Sequence, residues 1–169
     1  MKVYYSFYLR FVVALMIVLW IHMPVEAMAN HSTGTQLESL AGSKHSLEDY
    51  QGKKAVVHFF ATWCHPCQEE MPYIVSFSDR IEQNGVPFIP IHLTKLDSDL
   101  SQLQSFLTHY QASFDPWLDR SGGMMNQYHV VGIPTTLFLD ENGNVEQRID
   151  GMLPIDQAES FISRIKKEN

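Results

Sequence analysis

The chain of 169 residues has two cysteines, and both fall inside one stretch, HFFATWCHPCQEEMPY, His58 to Tyr73. Two residues separate Cys64 from Cys67, a spacing that serves a metal half-site, a structural staple or a redox couple. As a metal site the pair supplies only two of the four ligands zinc takes. No second Cys-x-x-Cys follows, and His58, His92, His109 and His129 are scattered along the chain. As a staple it closes a loop too short to remove much chain entropy. As a redox couple it needs one sulfur at a helix N-terminus, where unpaired amide N–H groups and the positive dipole end favour a thiolate over a thiol of ordinary pKa near 8.5. A second sulfur one turn later then attacks the mixed disulfide formed on the first.

The elements that would place the pair can be read on either side. Lys54 to Ala61 (KAVVHFFA) is an apolar, β-branched and aromatic run suited to a buried strand. From Cys64, the residues Cys67, Met71, Ile74, Val75, Ser78 and Ile81 recur at steps of three and four, so a helix is expected to about Gln83, stopped by Asn84-Gly85. Pro72 inside it predicts a kink. Val86 to Leu93 (VPFIPIHL) reads as a second strand, and Pro87 and Pro90, which cannot donate to a ladder, predict an edge or irregular position.

Ser98 is read as the cap of an amphipathic helix with Leu100, Leu103, Phe106, Leu107 and Tyr110 on one face. A short helix over Ser121 to His129 follows, then a strand Thr135 to Asp140, a turn at Asn142-Gly143 and an antiparallel partner Val145 to Asp150. A last helix, Ile155 to Lys167, turns Ile155, Ala158, Phe161, Ile162 and Ile165 inward. Ahead of all this, Ser46 to Gly52 reads as a helical turn closed by glycine. The order implies an α/β fold, a mixed central sheet with helices on both faces.

Residues 1–29 read separately. Lys2 and Arg10 precede the apolar run Phe11 to Ile21, and Ala27-Met28-Ala29 fits a small-residue cleavage site, the pattern of an export signal. Tyr4 to Trp20 would serve as a retained membrane anchor instead, with Arg10 snorkelling. Either way the remainder is expected outside the cytoplasm: a linker and lead-in strand at 30–45, then one domain over 46–169. Of 12 basic and 19 acidic residues, the leader holds Lys2, Arg10 and Glu26, so the rest keeps 10 against 18, a formal charge of −8. That excess of acid disfavours nucleic acid and anionic membrane surfaces as partners. In exported proteins disulfides persist, so a lone cysteine pair can hold either redox form.

Trp63-Cys64-His65-Pro66-Cys67, with Pro72 five residues beyond and Gly132-Ile133-Pro134-Thr135 further on, resembles the thioredoxin superfamily. The likeness is nearest to extracytoplasmic thiol-disulfide oxidoreductases of the ResA, StoA and TlpA type and covers roughly residues 36–166. Phe114, Pro116, Leu118-Asp119, Gly122, Tyr128, Val130 and the run Gly132 to Asp140 extend it. The resemblance implies a thioredoxin fold with Cys64 as nucleophile and Cys67 as resolving thiol. It also implies a cis Pro134 facing the pair, so that the Ile133 backbone can bind an extended client segment beside Trp63. It calls for no cofactor and no metal.

His65 and Pro66 are the residues that would tune the couple. A protonated His65 would stabilise the thiolate and make the pair more oxidising than a Gly-Pro insert would; as a solvated surface histidine it would do neither. His58 stands where cytoplasmic thioredoxins carry a buried acid, six residues before the first cysteine, and is either a satisfied core histidine or a proton shuttle. Some tethered relatives place a glutamate after the second core strand, where this chain reads Thr94-Lys95-Leu96-Asp97, and no acid is carried over to it. Glu69 and Glu70 read as a solvated helix face, and Met124 and Met125 as space-fillers.

The resulting expectation is an enzyme that exchanges dithiol for disulfide on cysteine-containing clients. Its direction would be that of a reductant fed by a membrane electron donor, in cytochrome c maturation or spore-envelope assembly, with His58-Phe59-Phe60 and the absent glutamate tilting toward sporulation. A copper or zinc carrier using Cys64, Cys67 and a histidine is the alternative. A thiol peroxidase fits less well, because Thr62-Trp63-Cys64 lacks the spacing of a peroxidatic site.

Overall fold

The computed structural model describes residues 35–168. The leader and residues 30–34 of the linker read from sequence lie outside them. Among the described residues no helix is long and apolar enough to cross a membrane.

The apolar run before the cysteines becomes strand β3, Ala55–Phe60, with all six residues buried. It lies between β4, Phe88–His92, which runs parallel to it, and β6, Thr135–Leu139, which runs antiparallel. Outward from β4 come β5, Trp117–Leu118, then β1, Leu37–Ser39, and β2, Lys44–His45; outward from β6 lies β7, Val145–Asp150. The seven strands make one mixed sheet in the order β2-β1-β5-β4-β3-β6-β7.

Alternation along β3 divides the core. Val56 and Phe60 face Met71, Ile74, Phe77 and Ile81 of α1, His65–Glu82, together with Leu103 and Phe106 of α2, Leu100–His109, and Phe161 and Ile162 of α4, Ile155–Glu168. Val57 and Phe59 face the other way, toward Met124 of α3, Gly123–Gln127, and toward Leu47 and Tyr50 of a 3-10 turn, Leu47–Tyr50. A strand covered on both sides has no solvent face, which is why its sequence is continuously apolar. Each fully buried Phe here is worth roughly 1.5–3 kcal/mol of apolar burial. Phe138 of β6 and Phe161 of α4 meet with ring centroids 4.6 Å apart, locking helix to sheet.

Several local expectations change. β4 is central, with β3 on one side and β5 on the other, although it contains Pro90. Val56 N–H donates to Pro87 C=O, and Asp119 N–H donates to His92 C=O. By alternation, Pro90 turns its donor-less nitrogen toward β5, which starts only level with Ile91, so no ladder bond is lost. The cap of α2 is Asp99 rather than Ser98, its carboxylate accepting from the N–H groups of Ser101 (2.9 Å) and Gln102 (3.1 Å). The helix expected over Ser121 to His129 shrinks to α3 because Gly122 takes a left-handed φ of 77° and His129 one of 50°. Ile155 is 62% exposed; the buried stripe of α4 starts at Ala158. Pro72 lies inside α1, which continues as one helix past it.

Candidate active site

β3 ends at Phe60, and three residues, Ala61, Thr62 and Trp63, lead to Cys64, the N-cap of α1. Its φ of −76° and ψ of 107° are those of a residue entering a helix rather than inside one. Pro66 follows in the first turn, where its missing N–H would have had no helical partner. Cys64 and Cys67 are joined in a disulfide with their Cα atoms 5.2 Å apart. Cys64 Sγ also sits 3.3 Å from Cys67 N, so the sulfur occupies the acceptor place that a serine or aspartate oxygen takes at other helix starts. Cys67 is fully buried and Cys64 keeps a small exposed area.

Across from the pair, the Ile133–Pro134 peptide is cis, and Ile133 O lies 3.6 Å from Cys64 Sγ. The loop that carries it is braced from β7. Thr135 donates its hydroxyl to Gly132 C=O (2.8 Å) and lies 3.2 Å from Asp150 Oδ1. Arg148 Nε sits 2.9 Å from both Asp150 oxygens, while Arg148 Nη1 and Nη2 donate to the C=O groups of Tyr128 (2.6 Å) and His129 (3.2 Å). The Arg148 guanidinium holds the Asp150 carboxyl below its ordinary range. On the next residue, Gly151 N–H donates to Pro134 C=O (2.8 Å). The loop is therefore tied at Tyr128 and His129 to Arg148 of β7, at Gly132 to Thr135 of β6, and at Pro134 to Gly151 just beyond β7.

Around this centre the sequence-predicted residues separate. Trp63 is 55% exposed beside Cys64. His65 is on the surface with Nδ1 3.4 Å from Glu69 Oε1 one turn along, and Glu69 is exposed as expected. Glu70 is not: it is buried, and the reading of it as a solvated face is corrected. It belongs to the inward stripe Cys67, Glu70, Met71, Ile74, a pattern the three-and-four spacing already contained. Glu70 Oε2 accepts from Leu153 N–H (2.8 Å), and Oε1 lies 3.4 Å from Nε2 of the buried His58. Burial pushes the Glu70 carboxyl up to about 7 against the Leu153 bond, and pushes the His58 imidazole down to about 3. Both are neutral at mildly acid pH. His58 Nδ1 pairs with Thr136 Oγ1 at 3.0 Å on β6.

Among the described residues no three His, Cys, Asp or Glu side chains stand together as a metal-ligating group. The carrier reading gains no third ligand from this geometry.

A bonded cysteine pair capping a helix, opposite a cis-proline loop on a mixed sheet, is the arrangement of thioredoxin-like oxidoreductases, and comparison with known proteins gives the same class. The model of the AhpC/TSA family matches residues 28–148, most of the chain, so the chain belongs to that family of the thioredoxin superfamily. It is 33% identical over 130 residues to thiol-disulfide oxidoreductase ResA of Geobacillus kaustophilus, covering 77% of this chain and 73% of that protein. It is 27% identical over 125 residues to sporulation thiol-disulfide oxidoreductase A of Bacillus subtilis, covering 74% and 75%. Among solved structures, StoA from Bacillus subtilis superposes with a TM-score of 0.65 at 27% identity, over 76% of this chain and 92% of that one. The chain is a thiol-disulfide oxidoreductase.

Proposed function

We propose that the chain works outside the cytoplasm as a reductant of cysteine-containing client proteins, taking its electrons from a membrane partner. The observation that carries the exchange chemistry is the position of Cys64, capping α1 with its sulfur against Cys67 N–H and 3.6 Å from Ile133 O. In the reduced protein the amides of the helix start and its dipole favour a Cys64 thiolate. That thiolate attacks one sulfur of a client disulfide, forming a Cys64–client bond and releasing one client thiolate, which takes up a proton. Cys67, buried directly beneath, then attacks Cys64 Sγ. The Cys64–Cys67 bond forms, the second client sulfur leaves, and two electrons have passed to the client.

Ile133 and Trp63 border the sulfur, and an extended client segment pairing with the Ile133 backbone would bring its cysteine to Cys64. The leader over residues 1–29, either cleaved or retained as an anchor, supports the extracytoplasmic location. The name of the sporulation relative supports the spore-envelope branch of the pathway reading. ResA-type proteins share the higher identity, while the sporulation enzyme is similar over the same domain. Equilibration of the cysteine pair against glutathione and dithiothreitol buffers tests the direction: a potential near or below about −220 mV fits a reductant, and one near −120 mV would mark an oxidant.

A further inference from the structure

A buried acid lies behind the turn that delivers Cys64, and the exchange steps do not use it. Asp97, in the connection from β4 to α2, is 6% exposed. One of its oxygens, Oδ2, accepts the Thr62 N–H at 2.6 Å, the Thr62 hydroxyl at 2.6 Å and the Nε2 of His92 at 3.0 Å. A carboxylate can only accept, so His92 carries a proton on Nε2, while its Nδ1 lies 3.0 Å from the Thr94 hydroxyl, which also donates to the His92 C=O at 3.2 Å. Burial pushes the Asp97 carboxyl up, but the Thr62 hydroxyl, the Thr62 N–H and His92 together outweigh it and hold it below the ordinary range. Burial also keeps the His92 imidazole low against the pull of Asp97. The pair is thus a carboxylate braced by a neutral imidazole.

Thr62 is held from the opposite side as well, its C=O accepting from Gln68 Nε2 of α1 at 2.7 Å. Its amide, hydroxyl and carbonyl are therefore all fixed by elements other than its own strand. Between Thr62 and the sulfur there is only Trp63, which is more than half exposed. Cys64 N–H returns to Ala61 C=O at 3.3 Å, closing the turn around Thr62. Among the described residues, Thr62 is the residue of that turn that side chains from elsewhere in the fold hold by hydrogen bonds, while Cys64 is held by its bond to Cys67.

We propose that Asp97, oriented by His92, is a positioning residue for the attacking sulfur: it fixes Thr62 so that Cys64 meets the amides at the start of α1. The proposal rests on the reading of Cys64 as nucleophile. Without the Asp97 oxygen, the buried Thr62 N–H loses its acceptor and the Thr62 hydroxyl keeps only Gln102 Oε1 at 3.2 Å, so the turn has to move to satisfy the amide. Cys64 Sγ would then leave the place where the helix start favours its thiolate.

The test uses the reduced full-length chain in a Cys67→Ser background, so that a single sulfur reports. Iodoacetamide alkylation is followed as a function of pH beside a thermal melt. Asp97→Ala is expected to alkylate about tenfold more slowly at pH 7, the equivalent of one unit in thiol pKa. Asp97→Asn should recover most of the rate, because its amide oxygen still accepts the Thr62 N–H. Asp115→Ala, on the surface far along the chain, should match the parent. A merely structural Asp97 would lower the melting temperature and leave the pH profile where it was. Asp97→Ala that melts cooperatively and alkylates within twofold of the parent overturns the proposal. If Asp97→Ala fails to fold, Gln68→Ala carries the readout, with about threefold slower alkylation expected and an unchanged profile overturning it. A parent with two cysteines that cannot reduce insulin would sink the exchange reading itself, whereas an active parent with indifferent variants sinks only the positioning role.

Discussion

His58 Nε2 and Glu70 Oε1 face each other across 3.4 Å inside the core, and neither atom has a hydrogen-bond partner elsewhere among the described residues. With both groups neutral, a single proton on Glu70 Oε1 can be donated to His58 Nε2, and Thr136 then accepts from Nδ1–H. The pair lies one helical turn beyond Cys67, on the buried side of α1.

This arrangement predicts a stability plateau. Glu70, raised from 4.5 to about 7, contributes stability that is complete below pH 4.5 and lost as pH rises through 7. His58, lowered from 6.5 to about 3, contributes stability that is complete above pH 6.5 and lost as pH falls toward 3. Between pH 4.5 and 6.5 folded and unfolded chains bind the same number of protons at these two sites, so the slopes cancel. Glu70→Gln should therefore gain on the parent between pH 4.5 and 7.5, by no more than about 3 kcal/mol. Urea midpoints at the two ends of that range check it; a constant difference between the chains would rule it out.

Replacing each cysteine in turn separates their roles. Cys64→Ser and Cys67→Ser should both lose insulin-reducing turnover by at least about a hundredfold, since each removes one of the two displacements. Only Cys67→Ser should accumulate a covalent complex with a client, because its mixed disulfide has no internal thiol to break it. Non-reducing gels read the difference, and equal trapping by both variants would refute the assignment.

What the sequence revealed and what it hid divide along physical lines. β3 and the Cys-x-x-Cys helix were legible because a two-sided buried strand is a continuous apolar run and α1 keeps a three-and-four stripe. Glu70 was legible in principle, since its register between Cys67 and Ile74 points inward, but its charge argued for solvent and obscured the register. β5 has two residues and no period to detect. The Asp97, His92 and Thr62 cluster joins three separate segments through the sheet, as the Arg148 brace joins β7 to the cis-proline loop. Neither has any local signature, because the contacts span 35 and 20 residues.

The Arg148 brace makes a kinetic prediction. It satisfies the carbonyls of Tyr128 and His129 just past the end of α3 and ties them through Asp150 to Thr135, framing the loop that presents Ile133. Arg148→Met should raise KM for a protein client by about three- to tenfold while kcat and the potential of the cysteine pair stay within twofold and a few mV, about the value of one or two hydrogen bonds. Steady-state reduction of a protein disulfide gives the split. A fall in kcat at unchanged KM would mean that the loop acts on the sulfur chemistry instead.

His65 tests the tuning of the couple. Its side chain is 77% exposed, with Glu69 as its near partner, so solvent screens its charge and a large effect is excluded. It nevertheless adjoins Cys64 in sequence, at the first residue of α1, and a protonated imidazole there favours the thiolate and hence the reduced pair. His65→Gly should make the couple more reducing by no more than about 30 mV, a tenfold change in the exchange constant. Equilibration of both chains against glutathione and dithiothreitol buffers decides the matter: a shift well beyond about 30 mV would contradict the screening, and no shift would leave His65 as a solvated side chain with no part in setting the potential.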